Sequence, residues 1–228
     1  MDDFFKMVPE SMLEIGLGAL SHANYHAAYY NEKNDKWGEL SVLQAAHAAE
    51  ILVKARIAQV HPLLIFNDLP SISNQQSLTI EKLSKEGRTI DWSDLPKIFK
   101  TITQCNFINP NLFRDFGYMR NSLQHFGYFL NSNDTSPSLE TLKFIYSFID
   151  PFIYKHWGLF AIDFDEDMDS YEHLPISLIN YEIMFLVSPA SAKYSEYWTD
   201  ELKNCSPKYQ HIMNKRIQNA LKGSENNE

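Results

Sequence analysis

The chain has 228 residues, 44% of them hydrophobic and 14% aromatic, and a formal net charge of −9 at pH 7. That is enough apolar material for a sizeable core, and the acidic balance excludes general, sequence-blind coating of nucleic acid, which long-range repulsion opposes. With 8 glycines and 2 cysteines, the composition argues against a turn-rich β fold and against a disulfide framework.

A first helix is expected over 9–30, with Pro9 in its first turn and Leu, Ala and Tyr along its length. The polar break NEKNDK follows. The most regular pattern covers 36–60, where Leu43, Ala46, Val53, Ile57 and Val60 recur on one stripe. His61-Pro62 closes it, because a residue before proline avoids the α region. A loop over 69–77 leads to short helices over 78–85, stopped by Gly87, and 93–103, with Ser93 as N-cap. A further helix spans 111–124, ended by Gly127. After the polar loop 131–138, a helix over 138–155 contains Pro151, which should kink it.

Beyond residue 158 the character changes. An acidic run, DFDEDMDS, precedes ISLINYEIMFLVSP, which fits either helix or strand. Helical patterns return over 191–203 and 207–222, and the tail GSENNE reads as disordered. The sequence therefore predicts an all-α protein, with an up-and-down bundle of about five helices over 1–158 and a C-terminal, mostly helical appendage over 159–228. The start MDDFFKMVPE is acidic and lacks the apolar core of a secretory leader. Apolar runs are too short for a membrane span, and Cys105 and Cys205 suit a reducing compartment. A soluble, cytoplasmic protein is the expectation.

The segment that carries chemistry is Arg120-Asn121-Ser122-Leu123-Gln124-His125, at the C-terminal end of the 111–124 helix. Its form, Arg-Asn-x-x-x-His, resembles the active-site motif of the HEPN superfamily, in which an Arg and a His lie four to six residues apart and a polar residue follows the Arg. The resemblance extends over 9–158 as a pattern of helices. A second match, Arg56 to His61, has the same spacing. It lacks the polar residue after Arg, is followed directly by Pro62, and lies on an early helix where the family places its motif on a late one.

The resemblance implies a metal-independent endoribonuclease that needs no cofactor. Its substrate would be RNA, and its products would carry 2′,3′-cyclic phosphate and 5′-hydroxyl ends. His125 would move protons, since imidazole titrates near neutrality, Arg120 would stabilise charge on the phosphoryl oxygens, and Asn121 would position the phosphate or the Arg. Glu50 falls in the apolar stripe of the second helix, where an acid needs a partner. The resemblance suggests that it orients His125 or pairs with Arg120, with His47 beside it. Lys54, four residues on, is the local alternative. Five residues of α-helix turn through about 140°, so Arg120 and His125 do not share a face. They converge only if the helix breaks between them or a second subunit completes the site, and the family implies a homodimer.

A role in prokaryotic defence or toxin–antitoxin growth control is also implied, with an antitoxin or regulatory partner. The chain departs from one toxin subfamily, whose modified Tyr lies two residues after the His. That position is Gly127 here, and Tyr128 comes one later. The alternative function is a non-catalytic HEPN-like module that binds nucleotide, RNA or protein.

Other patterns carry less. His22 and His26 have metal-ligand spacing but no third ligand nearby in sequence. The alternating Asp163, Asp165, Asp167 and Asp169 lack the Gly and Glu of a calcium loop, with Met168 and Leu174 in those places, and read as a solvated loop.

Overall fold

The structure is a computed structural model that describes residues 3–70, 78–128 and 135–225. It is essentially all-α, in agreement with the composition. The expected loops over 69–77 and 131–138 and the tail lie wholly or partly outside the described residues. No helix among the described residues is long and apolar enough to cross a membrane.

Helix α1 spans Asp3–Ala28 and α2 spans Trp37–Ala58. Pro9 lies inside α1, not in its first turn: the preceding DFFKMV is already helical, and the helix continues through the proline. The chain forms two compact units. One comprises Met1–Ile15 and Glu50–Phe107, the other Gly16–Ala49 and Ile108–Glu228. Both long helices contribute a segment to each.

The first unit contains α3 (Ile80–Glu86), α4 (Leu95–Thr103) and a small antiparallel ribbon of β1 (Phe66–Asp68) and β2 (Arg88–Thr89). Thr79 caps α3 by accepting the amide of Lys82. Gly87 ends it as expected, and for a steric reason: a Cβ there would lie 2.6 Å from the Leu83 carbonyl and 2.9 Å from the Phe66 ring. Ser93 is not the N-cap of α4. It sits in a short 3-10 turn, Trp92–Asp94, and α4 begins only at Leu95, where Pro96 fits the first turn.

The second unit is built around α5 (Pro110–Phe126), α6 (Pro137–Phe144) and α7 (Asp150–Trp157). Between α6 and α7 the chain makes a π-helical turn, Ile145–Ile149, which ends two residues before Pro151. Proline offers no amide to the ladder, and the wide turn absorbs the disruption that the sequence leads one to expect as a kink. Phenylalanines stack through this core. Phe116 and Phe144 lie 3.8 Å apart and 3° from parallel, Phe144 and Phe148 5.3 Å apart, and Phe148 and Phe152 5.7 Å apart.

Residues beyond 158 pack into this same unit. The ambiguous ISLINYEIMFLVSP resolves into the end of α8 (Ser170–Asn180) followed by irregular chain. Short helices α9 (Pro189–Ala192) and α10 (Thr199–Lys203) and the long α11 (Pro207–Glu225) complete it. Two buried polar residues tie the parts together. Asn24 donates to the carbonyls of Ala161 and Phe164 at 3.1 and 2.7 Å and accepts from the Tyr146 hydroxyl. Asp150, 1% exposed, accepts the amides of Ala161 and Leu186 at 2.9 and 2.8 Å. Burial pushes its carboxyl up to about 6, partly offset by those two amides.

Candidate functional site

Helix α5 carries the Arg-Asn-x-x-x-His segment, and both of its ends are fixed. Asn109 caps the start by accepting the amide of Leu112, and Pro110 occupies the first position. At the other end Gly127 adopts φ 64° and donates its amide to the Leu123 carbonyl. That left-handed conformation suits glycine, so the helix stops one residue after His125. In between, Phe113, Phe116 and Leu123 are buried at helical spacing and hold one face on the phenylalanine core.

Arg120 falls on that same core-facing stripe, four residues after Phe116 and three before Leu123, and is half-buried. Its head group turns away from the core: Nη1 donates to Oδ1 of Asn121 at 3.0 Å. Asn121 and His125 are both exposed and lie four residues apart, outside the core-facing stripe. In helical projection Asn121 stands between the two functional groups, about 100° from Arg120 and about 40° from His125. The hydrogen bond thus ties the guanidinium to a residue one turn before the histidine.

The helix remains regular through both residues, and one of the two routes to convergence, a break between them, is not taken. A cleft holding both groups against one phosphate then needs a second helix end.

The supporting residues fall as follows. Glu50 belongs to the first unit and Arg120 and His125 to the second. Glu50 forms an ion pair with Lys54 at 2.6 Å, and Lys54 also donates to Thr89 Oγ1 at 3.2 Å. This is the local alternative for a carboxylate in the apolar stripe. His47 is exposed, one turn earlier on α2. In the competing match, His61 lies beyond the end of α2 and uses its Nδ1 to accept the Leu63 amide at 3.2 Å, capping a 3-10 turn.

The acidic run is more than a solvated loop. The hydroxyls of Ser188 and Tyr171 both donate to Asp163 Oδ1, at 2.5 and 3.1 Å. His22 pairs with Glu166 at 2.9 Å and His173 with Asp167 at 3.0 Å. Burial lifts the carboxyl of Asp165 to about 6 and lowers the basicity of His26. Among the described residues, no group of three or more His, Cys, Asp or Glu side chains is placed to hold a metal ion. His22 and His26 instead stack 5.8 Å apart, with His26 against Trp37 at 4.7 Å.

One feature of α5 escapes a reading of the motif alone. Tyr118, Phe126 and Tyr128 expose 65%, 80% and 65% of their surface, and the Phe126 ring lies 6.4 Å from that of His125. Tyr118, Asn121 and His125 follow at spacings of three and four, so that part of the signal was present in the helical periodicity, whereas Tyr128 lies beyond the helix end.

Comparison with known proteins gives no match: no family model, no curated protein and no solved structure is significantly similar to this chain.

Proposed function

We propose that the chain is a metal-independent endoribonuclease of the HEPN type, working as a homodimer with Arg120, Asn121 and His125 at its centre. The observation that carries the reading is the joined arrangement on α5, with Arg120 bonded to Asn121 and Asn121 one turn before an exposed His125 at a fixed helix end.

In the proposed reaction the 2′-hydroxyl of RNA attacks the adjacent phosphorus. The imidazole of His125 takes the hydroxyl proton as the new O2′–P bond forms. The P–O5′ bond breaks, and the 5′-oxygen leaves with a proton from the second copy's imidazolium. The products are a 2′,3′-cyclic phosphate and a 5′-hydroxyl. Arg120 offers its planar fork to the phosphoryl oxygens, whose charge grows in the transition state. Asn121 holds that fork in place. A regulatory or antitoxin partner, and a place in defence or growth control, belong to the same proposal.

One observation favours a second reading, a non-catalytic module that binds RNA or nucleotide. On a regular helix Arg120 and His125 point about 140° apart, so a lone copy presents the two groups to different ligands.

The test is incubation of the purified protein with labelled single-stranded and structured RNA in excess EDTA. The reading expects cleavage with cyclic-phosphate ends, and none at a linkage whose 2′-hydroxyl is replaced by hydrogen. RNA bound but left intact by a dimeric, folded protein would favour the second reading.

A further inference from the structure

We propose that a cavity beside the α1–α2 connection is a binding site for an organic cation, an alkylammonium or guanidinium group. This site stands apart from α5 and does not depend on the ribonuclease reading.

The cavity has a volume of about 350 Å³, within the roughly 300–1,000 Å³ typical of small-molecule sites. It lies wholly in the second unit. Its walls come from the end of α1, the connection to α2, the first turn of α2, the start of α6 and Tyr181 just after α8. Four aromatic residues line it, Tyr29, Tyr30, Trp37 and Tyr181, and Tyr30 and Tyr181 are 84% and 57% exposed. Trp37 is held from behind by Tyr25 at 5.2 Å and His26 at 4.7 Å. The loop is internally braced, since the side chains of Asn31 and Asn34 accept the amides of Lys33 and Lys36 at 2.9 and 3.0 Å.

The charged residues lining the cavity are Asp35 and Glu39. Aromatic faces present negative charge, and carboxylates add to it. Phosphates and carboxylate ligands are repelled, and cations are attracted. The chain itself supplies a stand-in for the ligand. The ammonium of Lys36 sits 3.3 Å from Glu39 and 3.8 Å from Asp35. Its side chain is 64% exposed, so it is held there weakly and is displaceable by another cation. Lys36 is not itself part of the cavity lining, and it competes for the two carboxylates from outside it.

The experiment is calorimetric titration of the full chain with tetramethylammonium, N-acetyl-lysine methylamide and N-acetyl-arginine methylamide. N-acetyl-norleucine methylamide serves as the uncharged control. Binding of at least one cation, and not of the control, is expected. Lys36→Met should tighten that binding by about two- to fivefold, whereas Glu39→Gln and Tyr181→Ala should weaken it by a similar factor. Preference for the amino-acid probes would place the cation on a partner's side chain, and preference for tetramethylammonium would point to a free small molecule. No cation binding at about 10 mM, equal binding of the control, or a Lys36→Met variant that binds no more tightly would overturn the proposal.

Discussion

Arg120 donates to the side-chain oxygen of Asn121 at 3.0 Å, from a backbone position that faces the core. The side-chain oxygen of Asn121 thus links this arginine to an exposed residue that lies one turn before His125. Asn121 is therefore a positioning residue in the proposed mechanism, and Arg120 and His125 are the catalytic ones.

Asn121→Ala should lower kcat for RNA cleavage by about 10- to 100-fold with little change in KM, because it loosens the guanidinium without removing its charge. Melting temperature should stay close to that of the wild type, since Asn121 is exposed. Asn121→Gln, which keeps the acceptor on a longer stem, should recover part of the loss. A KM effect alone would show that Asn121 merely binds RNA.

Gly127→Ala should destabilise the protein by about 1 kcal/mol, measured by urea unfolding. An added Cβ there meets nothing within 4 Å, so the whole effect comes from φ 64°. The last turn of α5 should fray as a result, and cleavage should fall with it, because His125 lies in that turn.

These positions were legible in the sequence to different degrees. The end of α5 at Gly127 and the all-α class were readable, because glycine chemistry and helical periodicity are local. The match at 56–61 was set aside on pattern alone, and the capping role of His61 beyond the end of α2 was not readable from it. Pro9 and Ser93 misled, since a proline tolerated inside a helix and a serine inside a 3-10 turn look like start signals. The π-turn before Pro151 was hidden because a proline signal does not say how the chain absorbs the lost hydrogen bond. The anchoring of the acidic loop depends on His173, six residues from its partner Asp167, and on Asn24, His22 and Ser188, far away in sequence. No local pattern contains those three distant contacts.

Asp150→Ala should cost about 2–5 kcal/mol in urea unfolding, because it leaves two buried amides, those of Ala161 and Leu186, without an acceptor. Asp150→Asn should cost less, as its amide oxygen keeps one of the two bonds.

Stability should depend on pH through Asp165. Its folded-state carboxyl is raised to about 6, first by burial and further by the charges of Asp167 and Glu166, from an ordinary value of 3.8. A raised pKa means that the proton favours the folded state, so this contribution is full below about pH 4 and is lost as pH rises through about 6. Asp165→Asn should match the wild type near pH 4 and exceed it in melting temperature at pH 7. Equal differences at both pH values would show that ionisation of Asp165 plays no part.

The central claim, that the helix end bearing Arg120 and His125 cleaves RNA, is tested most directly by comparing two histidine variants. In excess EDTA, His125→Ala should lose about 100-fold or more of the wild-type rate, whereas His61→Ala should retain it after correction for any loss of folded protein. Full activity in His125→Ala, or equal loss in both variants with both folded, would contradict the account.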